Sequence, residues 1–352
     1  MAEIVADKPK PLESSVSHPD GPSPALRETQ AAAGDVGARS VLAEPKPALP
    51  KEIRFDGSEI DSLAPEDVQL LELARDVRHV FKEDESEAVL RKLVRMGGSP
   101  HGARPKILIN FDAHTNLISA PESSLGTPML VKFPAQNEHK EVCAIEALYC
   151  RLAHASGIPT PTNQFFNLDR ELSAFGIMRF DRVDGMRVPM HTAAGAAHVD
   201  FRHPQLDYIS LLKLTQLITK DMREVVYAFE RCVFNVVFNN RDDHSKNFSY
   251  LMGKDGRWTF SPAYDLTYCR GPNGEHQMDI CGEVRLPGRV QLMELAAKTG
   301  IKKNMAAESI ERIANVSKSL REFVNELPIR EQTLKSIAEA IATNRERLIR
   351  KV

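Results

Sequence analysis

Nine consecutive polar residues, Asn239-Asn240-Arg241-Asp242-Asp243-His244-Ser245-Lys246-Asn247, interrupt the most apolar stretch of the chain. Asp221 to Phe238, just before them, have the apolar density of a buried helix. Phe248 to Met252, just after them, read as a strand. Gly253 and Gly256 turn the chain into a second short strand, Trp258-Thr259-Phe260, and Ser261-Pro262-Ala263-Tyr264-Asp265 follows. A helix, a polar loop, a hairpin and one more carboxylate, in that order, read as a reacting centre.

Asp242 precedes Asn247 by five residues. This spacing is similar to the catalytic loop of protein kinases. There an Asp accepts the proton of the substrate hydroxyl and an Asn holds magnesium. Asp265 stands where the second metal-binding Asp of a kinase is found. Phosphoryl transfer concentrates negative charge, so hard oxygen ligands must fix Mg2+. A separate carboxylate must orient the nucleophile. A lone D-x-x-x-x-N is common by chance; with His244 and Lys246 inside it and P-A-Y-D-L after it, the pattern is far more specific.

The chain has 352 residues, enough for two lobes, and a formal net charge of -2, which argues against a basic surface spread over the whole molecule. Its five cysteines contain no C-x-x-C, so neither a disulfide framework nor a zinc site is expected. Cys143, Cys150 and Cys232 fall in apolar helical patterns and read as buried thiols. No apolar run is long enough to span a membrane, and a cytoplasmic protein is expected. Residues 1–50 hold eight of the 22 prolines and no aromatic residue, the composition of a disordered tail. Residues 51–182 are expected to form a mixed α/β lobe and residues 183–352 a helical one.

Helical spacing runs over 66–81 and again over 84–95. A Gly-rich loop from Met96 to Lys106 comes next, containing Ser99 and Gly102, and then a strand from Ile107 to Phe111. Glycines let a backbone approach a phosphate, and Lys106 adds charge. Lys132 sits in the strand Pro128 to Pro134, where an ammonium is costly without a partner. Glu146, on a helix at 139–156, is one expected partner, with Glu138 and Glu141 as competitors and a solvated Glu146 as the equal alternative. The strand from Ala174 to Phe180 ends in Asp181-Arg182. Backbone groups near Met178 to Phe180 are expected to read an adenine edge. Asp181 is expected either to take a ribose hydroxyl or to form an ion pair with Arg182. Helices are expected at 206–218, 221–238, 289–300, 306–325 and 330–350, the last two separated around Pro328. Strands followed by helices imply an α+β, two-lobed fold. The basic C-terminal end suits the helix dipole.

Residues 85–345 resemble the HipA family of bacterial serine/threonine kinases, the toxins of type II toxin–antitoxin pairs. The resemblance rests on G-S-P-H-G-A-R-P-K, V-K-F-P, R-F-D-R, N-R-D-D-H-S-K-N-F-S and S-P-A-Y-D-L, in family order. It implies a protein-kinase-like fold that uses ATP and Mg2+. Asp242 becomes the catalytic base, Asn247 and Asp265 the magnesium ligands, and Lys132 the contact to ATP phosphates. His244 and Lys246 fall on the catalytic loop, and Lys246 is placed to steady the transferred phosphate. Ser99 matches the serine that family members autophosphorylate, in a loop that must fold over ATP. The family implies a DNA-binding antitoxin of the HipB kind, with DNA reached only through it. It also implies a protein substrate such as an aminoacyl-tRNA synthetase.

Three features depart from the family pattern. Met178 stands where a Glu often precedes R-F-D-R. Arg187-Val188-Pro189-Met190-His191-Thr192 replaces a more polar stretch. The family's extra N-terminal subdomain has no counterpart here, so a small companion protein is expected to supply it. Two other readings are an inactive kinase-fold scaffold and a metal-dependent phosphohydrolase built on Asp242, Asp243, His244 and Asp265.

Overall fold

β1 (Lys106–Asp112), β2 (Leu117–Ser119), β3 (Thr127–Lys132), β4 (Asn163–Asn167) and β5 (Ser173–Met178) form one antiparallel sheet in the order β2-β1-β3-β5-β4. Helix α1 is Leu70–Val80 and α2 is Glu141–Ala155. The computed structural model describes residues 70–80, 104–115, 117–119, 126–200 and 206–350, with the side chains of 76–80 left aside. These belong to one unit, Asp61–Val352. The helix expected at 84–95, the tail at 1–50, and Ser99 and Gly102 of the Gly-rich loop lie outside the described residues.

Period-two alternation gives the sheet two different faces. Ile107, Ile109, Met129 and Val131 point to one side and pack with Leu70 and Leu73 of α1. Leu130, Phe175 and Ile177 point to the other and join a much larger core. That core includes most of the apolar residues of α2 and runs on into the helical lobe. Thus α2 packs chiefly against the sheet, on β4 and β5, and also reaches the helical lobe at Leu320–Phe323. Its first residue adds a polar tie: Glu141 accepts from the Arg330 amide at 2.9 Å, from the Arg330 guanidinium, and from Thr333 Oγ1 at 3.0 Å.

Beyond β5 come the short strands β6 (Arg182–Val183), β7 (Met186–Arg187) and β8 (Met190–Thr192), then the one-turn helix α3 (Ala193–Ala197). Helices α4 (Tyr208–Thr219) and α5 (Met222–Val237) follow, each opened by an aspartate cap, Asp207 and Asp221. The hairpin β9 (Ser249–Met252) and β10 (Trp258–Phe260) takes β8 as a third strand, with Met190 opposite Leu251 and Thr192 opposite Ser249. The sequence gives no alternation signal for β8, which exists only because the hairpin offers it an edge.

Helices α6 (Arg289–Lys298), α7 (Lys303–Val316), α8 (Leu320–Phe323) and α9 (Glu331–Ile349) complete the lobe. The single helix expected at 306–325 is instead broken by a tighter turn at Ser317–Ser319. There Ser317 Oγ donates back to the Ala314 carbonyl at 2.6 Å, the local competition by which serine weakens helices.

The turn at Gly271 closes over Arg241, beside the polar loop. Its φ is +69°, and a Cβ there would stand 2.0 Å from the Glu275 carbonyl oxygen and 2.9 Å from Arg241 Cβ. Gly185 has a similar φ of +73° with nothing within 4 Å. Gly271→Ala is expected to destabilise by at least about 2 kcal/mol, and Gly185→Ala by only about 1 kcal/mol, read from urea midpoints. Equal shifts would show that the Gly271 turn yields without cost.

Candidate active site

Lys132, the last residue of β3, lies on the same face as Leu130, toward α2. Its Nζ donates to Glu146 Oε2 at 2.9 Å and to Asp265 Oδ1 at 2.5 Å. One ammonium therefore joins the sheet, α2 and the segment after the hairpin. Glu146 is only 2% exposed, and its other oxygen accepts from Arg104 Nη1 at 2.7 Å. Arg104 also clasps Glu138 through Nε and Nη2. Of the three candidate glutamates, Glu138 is taken by Arg104 and Glu141 by Arg330, and Glu146 meets the lysine.

The electrostatics follow from this arrangement. Burial works against the Lys132 charge, but Glu146 and Asp265 outweigh it and hold the ammonium protonated above its ordinary range. Burial likewise disfavours the Asp265 carboxylate. Lys132, then Lys106 and His244, overcome this and hold its pKa below the ordinary 3.8. Lys106 lies opposite Lys132 in the β1–β3 register, so two strands deliver positive charge to one place. A depressed carboxylate stabilises the fold above its ordinary range and loses that contribution as acid protonates it. The Lys132–Asp265 contact is therefore intact across neutral pH. Asp265 is also held in the left-handed region, φ +56°, which aspartate tolerates better than most residues.

The polar loop is set by the end of α5. Asn239 adopts a left-handed φ of +55° and turns the chain out of the helix. Tyr149 of α2 donates to the Phe238 carbonyl at 2.5 Å. Arg241 and Cys269 exchange backbone bonds with the opposite segment, Arg241 N to Cys269 O and Cys269 N to Asn239 O. Asn247 ends a tight turn, Ser245–Asn247, and its Nδ2 donates to the Asp242 carbonyl at 2.8 Å, so the amide oxygen is the atom of this side chain that could hold a metal. Burial raises the Asp242 pKa above 3.8; Asp265 and Asp243 add to the rise, while His244 and Lys132 oppose it. His244 Nε2 lies 3.7 Å from Asp242 Oδ1. The two carboxylates are thus driven in opposite directions, Asp242 up and Asp265 down, the pattern that separates a proton acceptor from a permanent anion. Lys246 is exposed on the same turn.

At the hinge the geometry corrects part of the sequence reading. The Met178 amide donates to the Thr162 carbonyl at 2.8 Å and the Arg179 amide to Pro128 at 2.8 Å, so neither is free for an adenine edge. Both continue the sheet's own pairing. Phe180 instead offers its ring, whose centroid lies 5.5 Å from that of Tyr264. Asp181 is an ion-pair centre: Arg179 Nε and Nη2 reach it at 3.0 and 2.8 Å and Arg182 Nη1 at 2.6 Å. This is the ion-pair alternative for Asp181, widened to a second arginine.

Sequence reasoning missed the buried scaffold beneath the loop. Asp243 is fully buried. It accepts from Tyr208 Oη at 2.8 Å and from the Gln277 amide at 2.8 Å, and its Oδ2 lies 2.8 Å from His276 Nδ1. Asn235 donates to Tyr208 Oη at 2.9 Å, and Asn240 to Asn235 Oδ1 at 2.9 Å. Tyr208 and His276 carry no local signal, because their role exists only once α4 and the 276 segment have packed. Asp243 is therefore not open to a metal, as the phosphohydrolase reading requires. Among the described residues no group of three or more His, Cys, Asp or Glu side chains could hold a metal ion by itself. One carboxylate and one amide suit Mg2+, which keeps water and takes further oxygens from phosphates.

The sequence matches the family described as the HipA-like C-terminal domain over residues 98–320, more than half of the chain. The chain belongs to that family. A candidate kinase of Haemophilus influenzae is 26% identical over 193 residues, covering 49% of this chain and 53% of its own length. The chain thus spans about half of that relative. Among solved structures, the Shewanella oneidensis MR-1 toxin–antitoxin complex of HipA, HipB and operator DNA matches with a TM-score of 0.58 and 20% identity, covering 71% of this chain and 64% of that one. The fold is therefore the two-lobed, kinase-like fold of HipA. The Helicobacter pylori proinflammatory kinase CtkA matches with a TM-score of 0.46 and 10% identity, covering 70% of this chain and 91% of its own. Among the described residues no helix is long and apolar enough to cross a membrane.

Asp243→Asn is expected to fold less stably by about 2–4 kcal/mol, because it turns one acceptor into a donor facing other donors in a fully buried site. Chemical denaturation checks this; an unchanged midpoint would show that the network is not holding the loop.

Proposed function

We propose that the chain is an ATP-dependent serine/threonine protein kinase acting as the toxin of a toxin–antitoxin pair. The observation that carries this reading is Lys132, shared by Glu146 of α2 and Asp265 beyond the hairpin, with Asp242 and Asn247 on the neighbouring loop. A phosphotransferase needs this set: an amine for phosphate oxygens, two oxygen ligands for a cation, and a carboxylate for the nucleophile's proton.

Mg2+, when bound, neutralises charge on the transferred phosphate. Asn247 and Asp265 would hold it. Asp265 must then loosen its hold on Lys132, freeing the ammonium for the nucleotide's phosphates while Glu146 keeps it aimed. Asp242, with its raised pKa, accepts the proton from the substrate hydroxyl. His244 sits beside Asp242 and tempers that rise; Lys246 steadies the moving phosphate. Lys106, and Ser99 and Gly102 of the Gly-rich sequence before it, are assigned to the nucleotide's phosphates in the same reading. Phe180 contributes apolar surface to the base.

The wider setting is part of the same proposal. Family membership and the fold shared with a HipA solved alongside HipB and operator DNA support a HipB-like antitoxin partner, with DNA reached through it. The substrate is a cytoplasmic protein, an aminoacyl-tRNA synthetase being the family's precedent, and its modification stalls translation. Autophosphorylation at Ser99 adds charge to the loop and switches the enzyme off. The scaffold reading is disfavoured by the intact Lys132, Asp242, Asn247 and Asp265 set.

Incubation of the full chain with Mg-ATP, followed by phosphopeptide mapping, is expected to find phosphate on Ser99 in the wild type and none in Asp242→Asn. Asp242→Asn should reduce transfer by at least about 100-fold. An equally active variant would remove Asp242 from the chemistry. A base with a raised pKa is lost to protonation early as pH falls. The acid limb of the wild-type rate profile should therefore lie above pH 3.8, the ordinary aspartate value. A flat profile through that region would contradict the assignment.

A further inference from the structure

Arg231, in the middle of α5, is 4% exposed and has no carboxylate partner among the described residues. The glutamate beside it, Glu230, is engaged by Ser309 and Arg312. The guanidinium lies against aromatic faces instead, 4.5 Å from the Phe248 ring centroid, 5.2 Å from Phe260 and 5.9 Å from Tyr264. Its Nε and Nη1 are buried and have no hydrogen-bond partner among the described residues. One bond is made: Nη2 donates to the Asn247 carbonyl at 2.7 Å. A cavity of about 370 Å³, lined also by Pro159, Tyr227 and Pro262, adjoins it.

For stability alone this is a poor choice of residue. A buried cation without a counter-ion gains little that an apolar side chain of similar volume would not give more cheaply. What an apolar side chain cannot do is hold the Asn247 carbonyl. Asn247 is otherwise pinned through its side chain, to the Asp242 carbonyl, and through its amide, to His244 O at 2.9 Å. The preceding carbonyl, that of Lys246, accepts from Tyr264 Oη at 2.6 Å, and Tyr264 is the residue before Asp265. The hydrogen bonds of Arg231 and Tyr264 therefore fix consecutive carbonyls at the end of the loop, and the Tyr264 ring borders the guanidinium. Both oxygen ligands proposed above for the cation are attached to this one arrangement.

We propose that Arg231 is a positioning residue that sets the metal-binding geometry of Asn247 relative to Asp265. The inference rests on the functional reading given above. It requires the metal to feel a side chain that touches neither metal nor nucleotide. Partners that orient ligands are commonly worth 10- to 100-fold in metal affinity.

Mn2+ binding to the full chain, in the presence of a non-hydrolysable ATP analogue, is followed by electron paramagnetic resonance. Arg231→Met is expected to fold with an unchanged or higher thermal midpoint, to bind the analogue in EDTA like the wild type, and to bind Mn2+ at least about tenfold more weakly. Arg231→Lys keeps the cation among the rings but draws it back from the carbonyl, and is expected to lose at least about threefold. Mn2+ affinity within twofold of wild type in both variants overturns the inference. So does a loss of Mn2+ affinity matched by falls in thermal midpoint and metal-free analogue affinity, which would make the role purely structural. If Arg231→Met fails to fold, Arg231→Lys decides by the same comparison. A wild-type chain that binds no Mn2+ with the analogue overturns the kinase reading itself, a result distinct from equal binding by wild type and variants.

Discussion

A single ammonium bridges two lobes. Lys132 comes from the sheet, Glu146 from the helix packed beneath it, and Asp265 from the segment that follows the β9–β10 hairpin. Burying the Lys132 ammonium is costly unless anions match it, and the two it finds lie 14 and 133 residues away in the chain. Much of the surrounding structure can be understood as keeping those three groups in place. Helix α2 is packed into the main core and tied to α9 through Glu141 and Arg330. Arg104 takes the second oxygen of Glu146, so that this carboxylate cannot turn away.

Beneath the loop, several buried polar groups hold the backbone in place. Asp243 gathers Tyr208, His276 and a backbone amide. Arg231 stands among aromatic rings and holds one carbonyl. Such groups are costly to bury and add little net stability, yet they are directional. They fix where Asp242 and Asn247 point, which apolar packing alone does not do. Asp265, in its left-handed conformation, belongs with them as a residue whose geometry serves the site more than the fold.

The parts of this legible in the sequence are those with local signatures. The loop from Asn239 to Asn247, the strand lysine, the hairpin and the helix carrying Glu146 all show in spacing and composition, and the structure forms the elements within a residue or two of where spacing puts them. What stayed hidden depends on distant partners. Glu146 could be named but not separated from Glu138 and Glu141, because only the fold reveals that Arg104 and Arg330 claim the others. That the hinge amides of Met178 and Arg179 are occupied could not be read locally, because their acceptors are distant in sequence, Thr162 just before β4 and Pro128 on β3. Strand β8 has no period of its own and takes its form from the hairpin beside it. The break at Ser317 in the penultimate helical stretch was local and could have been read from Ser317 and Ser319, each able to bond back to its own helix.

In the proposed reaction Lys132 exchanges one carboxylate partner for phosphate oxygens while Asp265 goes to the cation. Calorimetric titration of ATP into the full chain, with and without Mg2+, tests this most directly when wild type is compared with Lys132→Met and Asp265→Asn. Lys132→Met should weaken ATP binding at least about tenfold under both conditions, and Asp265→Asn should weaken it only when Mg2+ is present. Equal affinities in all three chains, or an Asp265→Asn defect indifferent to Mg2+, would contradict it.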